Sequence, residues 1–285
     1  MQEDKIITIR ENIYAIKEKV DGKTEIPYRE IIILVHGYNV SEEGATVAYK
    51  KFEKNFSKYS SQLSKLNKAI YWFMWPSDKL FLSPLFYFQA VKKAKICGER
   101  FAEYLNKLNL ISTNNQPPSI TLIGHSLGCR LLLEALKKTI KTNLKLEIFL
   151  MAPAVPVSIV KPDKPLNPSI SSTEKYRILH SRKDGVLNKF FGIGQAMAGE
   201  GFDEAVGLKG NPNTGVWSNT KETTYDHSDY WGGEESVEWI ASQLGILKTV
   251  SRNLKLQRPT TAFEGRELTI ASESREIKTR EIPWR

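Results

Sequence analysis

The chain has 285 residues, 41% of them hydrophobic and 26% charged, which is enough apolar material for one large core. Two cysteines, Cys97 and Cys129, exclude a disulfide framework or a zinc site built from cysteine alone, and no apolar run reaches a transmembrane length. The formal net charge is +9, but the basic residues are scattered, which argues for a solvated face and against a nucleic-acid partner while leaving attraction to an anionic membrane surface open.

Met1 to Lys19 alternates charged and apolar residues and lacks the apolar core of a signal peptide, so a cytoplasmic protein is expected. Ile6 to Ile9 and Ile13 to Lys17, around Glu11 and Asn12, suggest an N-terminal hairpin within residues 1–30. Ile31 to Val35 is a continuous β-branched and leucine run, the mark of a strand buried on both faces. It ends in His36-Gly37-Tyr38-Asn39. A helix is predicted over about Glu42 to Leu66, with Val47, Phe52, Phe56, Tyr59 and Leu63 on its apolar face.

Ala69 to Met74 is the next strand, stopped at Trp75-Pro76-Ser77 because proline cannot continue a central strand. Pro84 to Leu108 is helical, with Ala90, Ala94, Cys97, Phe101, Leu105 and Leu108 on one face. A loop from Asn114 precedes the strand Ser119 to Ile123, the turn Gly124-His125-Ser126-Leu127-Gly128, and a helix ending near Ile140. Leu146 to Met151 and Tyr176 to His180 are further strands, separated by the proline-rich Ala152 to Pro168. Phe190 to Gly210 reads as loop with short helices. The last strand is Val216 to Ser218 or Lys221 to Tyr225, and Glu234 to Leu244 is the last helix. Residues 246–285 are charged and poor in apolar residues, which suggests a flexible tail on a single domain of residues 1–245.

Strands alternating with helices predict an α/β fold with a mostly parallel sheet, whose ligands bind beyond the carboxyl ends of the strands. That rule gathers His36, Trp75, Ser126, Asp184 and His227 along one edge, since each follows a strand. Ser126 stands between glycines two residues before and two after, at a strand-to-helix junction. Such a turn is tight enough to exclude larger side chains and pushes the hydroxyl outward.

An alcohol needs a base and an oriented acid before it becomes a nucleophile. His125 is adjacent to the serine and should point away from it. His36 suits a loop brace, and His180 a satisfied residue at a strand end. His227 follows all the strands on a polar loop, which makes it the candidate base. Asp184, before Gly185, is the candidate acid, with Asp203, Asp226 and Asp229 as competitors. For a developing oxyanion, the candidate donors are the backbone N–H of Leu127 at a helix start and that of Tyr38 in the loop after Ile31 to Val35.

From about Ile31 to Leu244 the sequence resembles the α/β-hydrolase superfamily, with His36-Gly37, the Ser126 turn, Asp184 and His227 in its order. More narrowly it is similar to an uncharacterised bacterial branch that shares an H-G-Y-N loop (His36 to Asn39) and a W-P-S turn (Trp75 to Ser77). The resemblance implies the α/β-hydrolase fold, a mostly parallel central sheet flanked by helices, and a serine hydrolase of the esterase or lipase type that needs no metal or other cofactor. Its substrate would be a small-molecule or lipid acyl ester.

Competing readings are a thioesterase or peptidase with the same residues, and a catalytically silent module that binds ligands or membranes. Leu80 to Phe88, with Phe81, Phe86, Tyr87 and Phe88, falls outside the shared motifs. It is expected to pack into the core as a helix start, with an acyl pocket or a lid as the alternative. Cys129 reads as a small buried residue.

Overall fold

The computed structural model describes residues 3–12, 14–59, 68–78, 84–111, 117–139, 144–167, 174–197, 199, 202–211 and 217–246. Strands β1 (Ile6–Arg10) and β2 (Ile16–Asp21) form an antiparallel hairpin. The second strand starts later than expected because Asn12 Oδ1 accepts from the N–H groups of Tyr14 and Ala15, both at 2.8 Å, and closes the turn there. Ile13 lies outside the described residues. The chain continues through β3 (Glu25–Ile26), β4 (Glu30–Val35), α1 (Glu42–Phe56), β5 (Lys68–Met74), α2 (Pro84–Lys107), β6 (Asn109–Leu110), β7 (Ser119–His125) and α3 (Leu127–Leu136). It then runs through β8 (Lys145–Met151), β9 (Glu174–His180), α4 (Gly192–Met197), α5 (Val206–Lys209), β10 (Trp217–Glu222) and α6 (Glu234–Gln243).

The main sheet has the order β10-β9-β8-β7-β4-β5-β1-β2. Every neighbouring pair in it is parallel except β1 with β2. This is the mostly parallel, helix-flanked sheet implied by the sequence. Alternation along the central strands feeds two cores. Ile31, Ile33 and Val35 of β4 face the layer of α2 and α3, whereas Ile32 and Leu34 face that of α1 and α6. The small Ala90 and Ala94 and the aromatic Phe101 let α2 pack closely, and Ala90, Ala94, Cys97, Phe101, Leu105 and Leu108 are all buried as predicted.

Helix α1 corrects the sequence reading. It ends at Phe56, and residues 57–59 form a turn; Leu63 and Leu66 lie outside the described residues. Its buried stripe is Ala45, Tyr49, Phe52 and Phe56, while Val47 is exposed. Val47 and Phe52 are five positions apart, about 140° around a helix, so the two cannot share a face. The last strand is one continuous Trp217–Glu222 that overlaps both proposed segments. It is polar because it pairs on one side only, with β9, at the sheet edge.

Helix α3 ends at Leu136, short of Ile140, which is outside the described residues. Most of the expected tail is also outside them, but Ile246, its first residue, is buried against the α1–α6 layer. Among the described residues no helix is long and apolar enough to cross a membrane.

Candidate active site

Ser126 is the single residue between β7 and α3, with φ 53° and ψ −124°. That backbone is costly for a residue with a side chain, and the surroundings hold it there. Its N–H donates to the Met151 carbonyl at 3.0 Å, and its carbonyl accepts from Cys129 and Ala154. Close packing explains the glycines. A Cβ on Gly128 would lie 2.3 Å from the His36 carbonyl oxygen, and one on Gly37 would lie 2.8 Å from Ser126 Cβ. The turn and the loop after β4 are therefore pressed backbone to backbone.

The structure brings Ser126, His227 and Asp184 together. His227 Nε2 is 2.9 Å from Ser126 Oγ, and His227 Nδ1 is 2.7 Å from Asp184 Oδ2. The carboxylate is fully buried, and its other oxygen accepts the N–H of Leu187 at 2.9 Å. An acceptor-only carboxylate on Nδ1 fixes that nitrogen as N–H and leaves Nε2 free to take a proton from the serine.

The competing carboxylates are elsewhere or do other work. Asp226 Oδ1 accepts from the N–H of Gly185 at 3.0 Å and of His227 at 2.8 Å, tying the His227 loop to the Asp184 loop. Asp229 accepts the Asp226 N–H at 3.0 Å within the same turn. Asp203 accepts the N–H of Ser158.

The other histidines divide as follows. His36 is fully buried, stacks on Trp75 with ring centroids 5.7 Å apart, and accepts the Trp75 N–H at Nε2. Its Nδ1 is therefore the donor, toward the Gly37 carbonyl at 3.1 Å. Trp75 Nε1 donates back to the His36 carbonyl at 2.8 Å, so the two motif residues lock their segments to each other. Burial lowers the His36 pKa to about 3. His180 packs against Gly210, but its buried Nδ1 has no hydrogen-bond partner among the described residues, so the ring is not the satisfied one expected.

His125 belongs to the site through the loop that carries His227. Its Nε2 donates to the His227 carbonyl at 2.8 Å, and its ring lies 4.8 Å from that of His227. Burial first and the neighbouring His227 second lower its pKa to about 3, so the ring is neutral and remains a donor. Sequence reasoning missed this role, because adjacency along the chain says nothing about which distant loop a side chain meets.

Nor did any local pattern signal a clamp under the loop after β4. Arg10 of β1 donates to Asp78 Oδ1 at 2.6 Å and Oδ2 at 3.0 Å, and to the Trp75 carbonyl at 2.8 Å. Ser77 Oγ bridges the Val40 N–H and the Val40 carbonyl, and Asn39 donates to the Ser77 carbonyl. The hairpin strand thus braces the segment that carries Tyr38. Among the described residues the backbone N–H groups of Tyr38 and Leu127 donate to no protein acceptor.

A cavity of about 320 Å³ opens beside Ser126 and His227, walled by Tyr38, Tyr87, Leu187 and Phe191, with Val186 and Phe190 at its side. Among the described residues His227 is the one titratable group other than the tyrosines on that wall. Tyr87 therefore does both things weighed for its segment. It packs in the core edge-on to Tyr38, with ring centroids 5.8 Å apart, and it lines the cavity. Leu80 to Ser83, including Phe81, and the Phe86 side chain lie outside the described residues. Val186, Leu187, Phe190 and Phe191 were a legible apolar signal beside Asp184, of which the loop reading of Phe190 to Gly210 took in only the last two.

A larger open groove, about 590 Å³, lies between α1 and residues 228–233 and explains the exposure of Val47. It contains none of Ser126, Asp184 and His227. Cys129 is buried, with its thiol pKa pushed well up by that burial. Among the described residues no cluster of three or more His, Cys, Asp or Glu could hold a metal ion.

Comparison with solved structures finds an uncharacterized protein from Bacillus cereus ATCC 10987, 15% identical with a TM-score of 0.44, covering 85% of this chain and 64% of that one. The present chain thus spans less than two thirds of that protein's length. A lipase-esterase related protein from Clostridium acetobutylicum ATCC 824 is 11% identical, with a TM-score of 0.37 and coverage of 76% and 94%. The ydeN gene product from B. subtilis is 14% identical, with a TM-score of 0.39 and coverage of 77% and 98%. No curated protein sequence matches the chain. Residues 15–195 match the sequence profile of a family described as alpha/beta hydrolase of unknown function (DUF900). That match covers more than half of the chain, and the chain belongs to this alpha/beta hydrolase family.

Proposed function

We propose that the protein is a serine hydrolase that cleaves a carboxylic ester through an acyl-enzyme on Ser126. The observation that carries this reading is the His227 ring, held between Ser126 Oγ at 2.9 Å and Asp184 Oδ2 at 2.7 Å. In the first half-reaction His227 Nε2 takes the Ser126 proton while Oγ attacks the ester carbonyl carbon. Buried Asp184 stabilises the resulting imidazolium without taking its proton. The oxyanion lies against the N–H groups of Leu127 and Tyr38, for which no acceptor among the described residues competes. His227 then gives the proton to the departing alkoxide. In the second half-reaction it takes a proton from water, which attacks the acyl carbon, and then gives that proton to Ser126 Oγ as the acid leaves and the free serine is restored.

The wall of tyrosine, leucine and phenylalanine favours an apolar acyl group over a charged or peptide one. Hydrolysis of nitrophenyl esters of increasing acyl length tests the reading. Wild-type kcat/KM should climb by up to about fourfold per methylene until the cavity is full, and Ser126→Ala should lose turnover at every length. Equal rates for the two proteins would remove Ser126 from the mechanism.

A further inference from the structure

Eight large hydrophobic side chains are markedly exposed among the described residues, and four of them fall between residues 186 and 202. These are Val186, Phe190, Ile193 and Phe202, with 44%, 55%, 48% and 81% of their surfaces in solvent. The other four, Tyr14, Val47, Ile96 and Ile111, are spread along the chain. Isolated exposed apolar residues need no explanation, but a concentration of them on one short segment does.

The segment is continuous with the cavity beside Ser126. Val186 and Phe190 are both exposed and on the cavity wall, so the outer patch and the inner wall share side chains. Inward, Phe191 is buried and meets Tyr87 edge-on, with ring centroids 6.4 Å apart, and Gly194 lies directly against the Tyr87 ring. Outward, Ile193 projects from α4, and Phe202 sits over Gly192, 3.7 Å from where a Cβ would stand. Exposed Phe202 and Ile193 therefore stand at Gly192 and its helix, next along the chain to Phe190 and Val186, whose side chains line the cavity that reaches Ser126.

We infer that Val186, Phe190, Ile193 and Phe202 form a lipid-docking rim, and that the acyl ester consumed at Ser126 is drawn from a lipid surface and not from free solution. The substrate class rests on the esterase reading above; the docking surface does not. The occupant follows from continuity. An apolar chain leaving a lipid surface at this rim enters the cavity without crossing water, whereas a protein partner seated there would close the mouth of the site. Charge along this part of the chain is mixed, with Arg182, Lys183, Lys189 and Glu204 exposed and Asp203 half-buried. Docking is therefore driven by apolar insertion and does not require an anionic headgroup.

Flotation of the full chain carrying Ser126→Ala with phosphatidylcholine vesicles tests the rim without turnover. The protein should float with the vesicles. Adding Ile193→Ser and Phe202→Ser, two exposed side chains outside the cavity wall, should lower the vesicle-bound fraction about tenfold or more at an unchanged melting temperature.

In the active protein the same pair should spare hydrolysis of a dissolved short-chain ester and depress hydrolysis of an ester embedded in vesicles. Failure to float, flotation indifferent to the pair, or binding confined to anionic vesicles would each overturn the rim. Self-association abolished by the pair, without flotation, would overturn it in favour of a second copy on this face. Flotation that depends on the pair, in a protein that cleaves no ester, would overturn the esterase reading and leave the rim standing.

Discussion

His125 Nε2 donates to the backbone carbonyl of His227 at 2.8 Å, so the residue preceding Ser126 holds the main chain of the residue that faces the serine hydroxyl. From the other side Asp226 Oδ1 accepts the His227 N–H at 2.8 Å. Both backbone polar groups of His227 are thereby fixed, which leaves its ring little freedom except the position between Ser126 and Asp184. His125→Ala should cut kcat about tenfold, the worth of one neutral hydrogen bond, with little change in KM for a dissolved ester. It should also lower the melting temperature, because the ring packs beside Tyr230 and Trp231. Steady-state kinetics and thermal denaturation measure the two effects separately.

Asp184→Asn keeps an acceptor for the Leu187 N–H but presents an amide where His227 Nδ1 needs an acceptor. The ring is then held in the wrong tautomer. The variant's kcat should fall by about 10³ to 10⁴ with a near-native circular dichroism spectrum. A wild-type rate would move the acid role to another carboxylate.

The backbone contact between the serine turn and the loop after β4 predicts a sharp contrast between two glycines. Gly128→Ala places its Cβ 2.3 Å from a carbonyl oxygen that cannot move independently, and should destabilise the protein by at least about 3 kcal/mol or prevent folding. Gly185→Ala meets nothing nearer than Asp226 Oδ1 at 3.6 Å and should fold normally. Urea denaturation of the two variants makes the comparison.

His36 and His125 are buried neutral, each with its pKa lowered by burial to about 3. The unfolded chain, with histidine pKa near about 6.5, binds more protons than the folded one between that value and about 3. Stability is therefore fully present above the unfolded pKa and is lost as pH falls through this window. The expected slope is about 1.4 kcal/mol per pH unit for each histidine. Denaturant melts between pH 6.5 and 4.5, above the range where most carboxylates titrate, should show it. A flat profile there would contradict the burial of these rings.

Much of the fold was legible in the sequence because the signals were strong and local. The continuous β-branched and leucine run Ile31 to Val35 and the apolar stretches Ala69 to Met74 and Ile148 to Met151 point to strands covered on both faces. Ser126, Asp184 and His227 could be nominated because a parallel sheet sends every strand's carboxyl end to the same edge, and the structure places these three within hydrogen-bonding reach.

What the sequence hid depends on tertiary context. Val47 is apolar but off the buried stripe. Trp217–Glu222 is polar because it is an edge strand. The reach of His125 to a loop 102 positions away, and the clamp of Arg10 on Asp78 and Trp75, have no local signature.

The most direct measurement of the central claim is reaction of the purified protein with a fluorophosphonate probe, followed by mass spectrometry of the labelled peptides. The wild-type chain should carry one label, on Ser126, and the Ser126→Ala variant none. Equal labelling of both proteins, or a label on any other serine, would contradict the account.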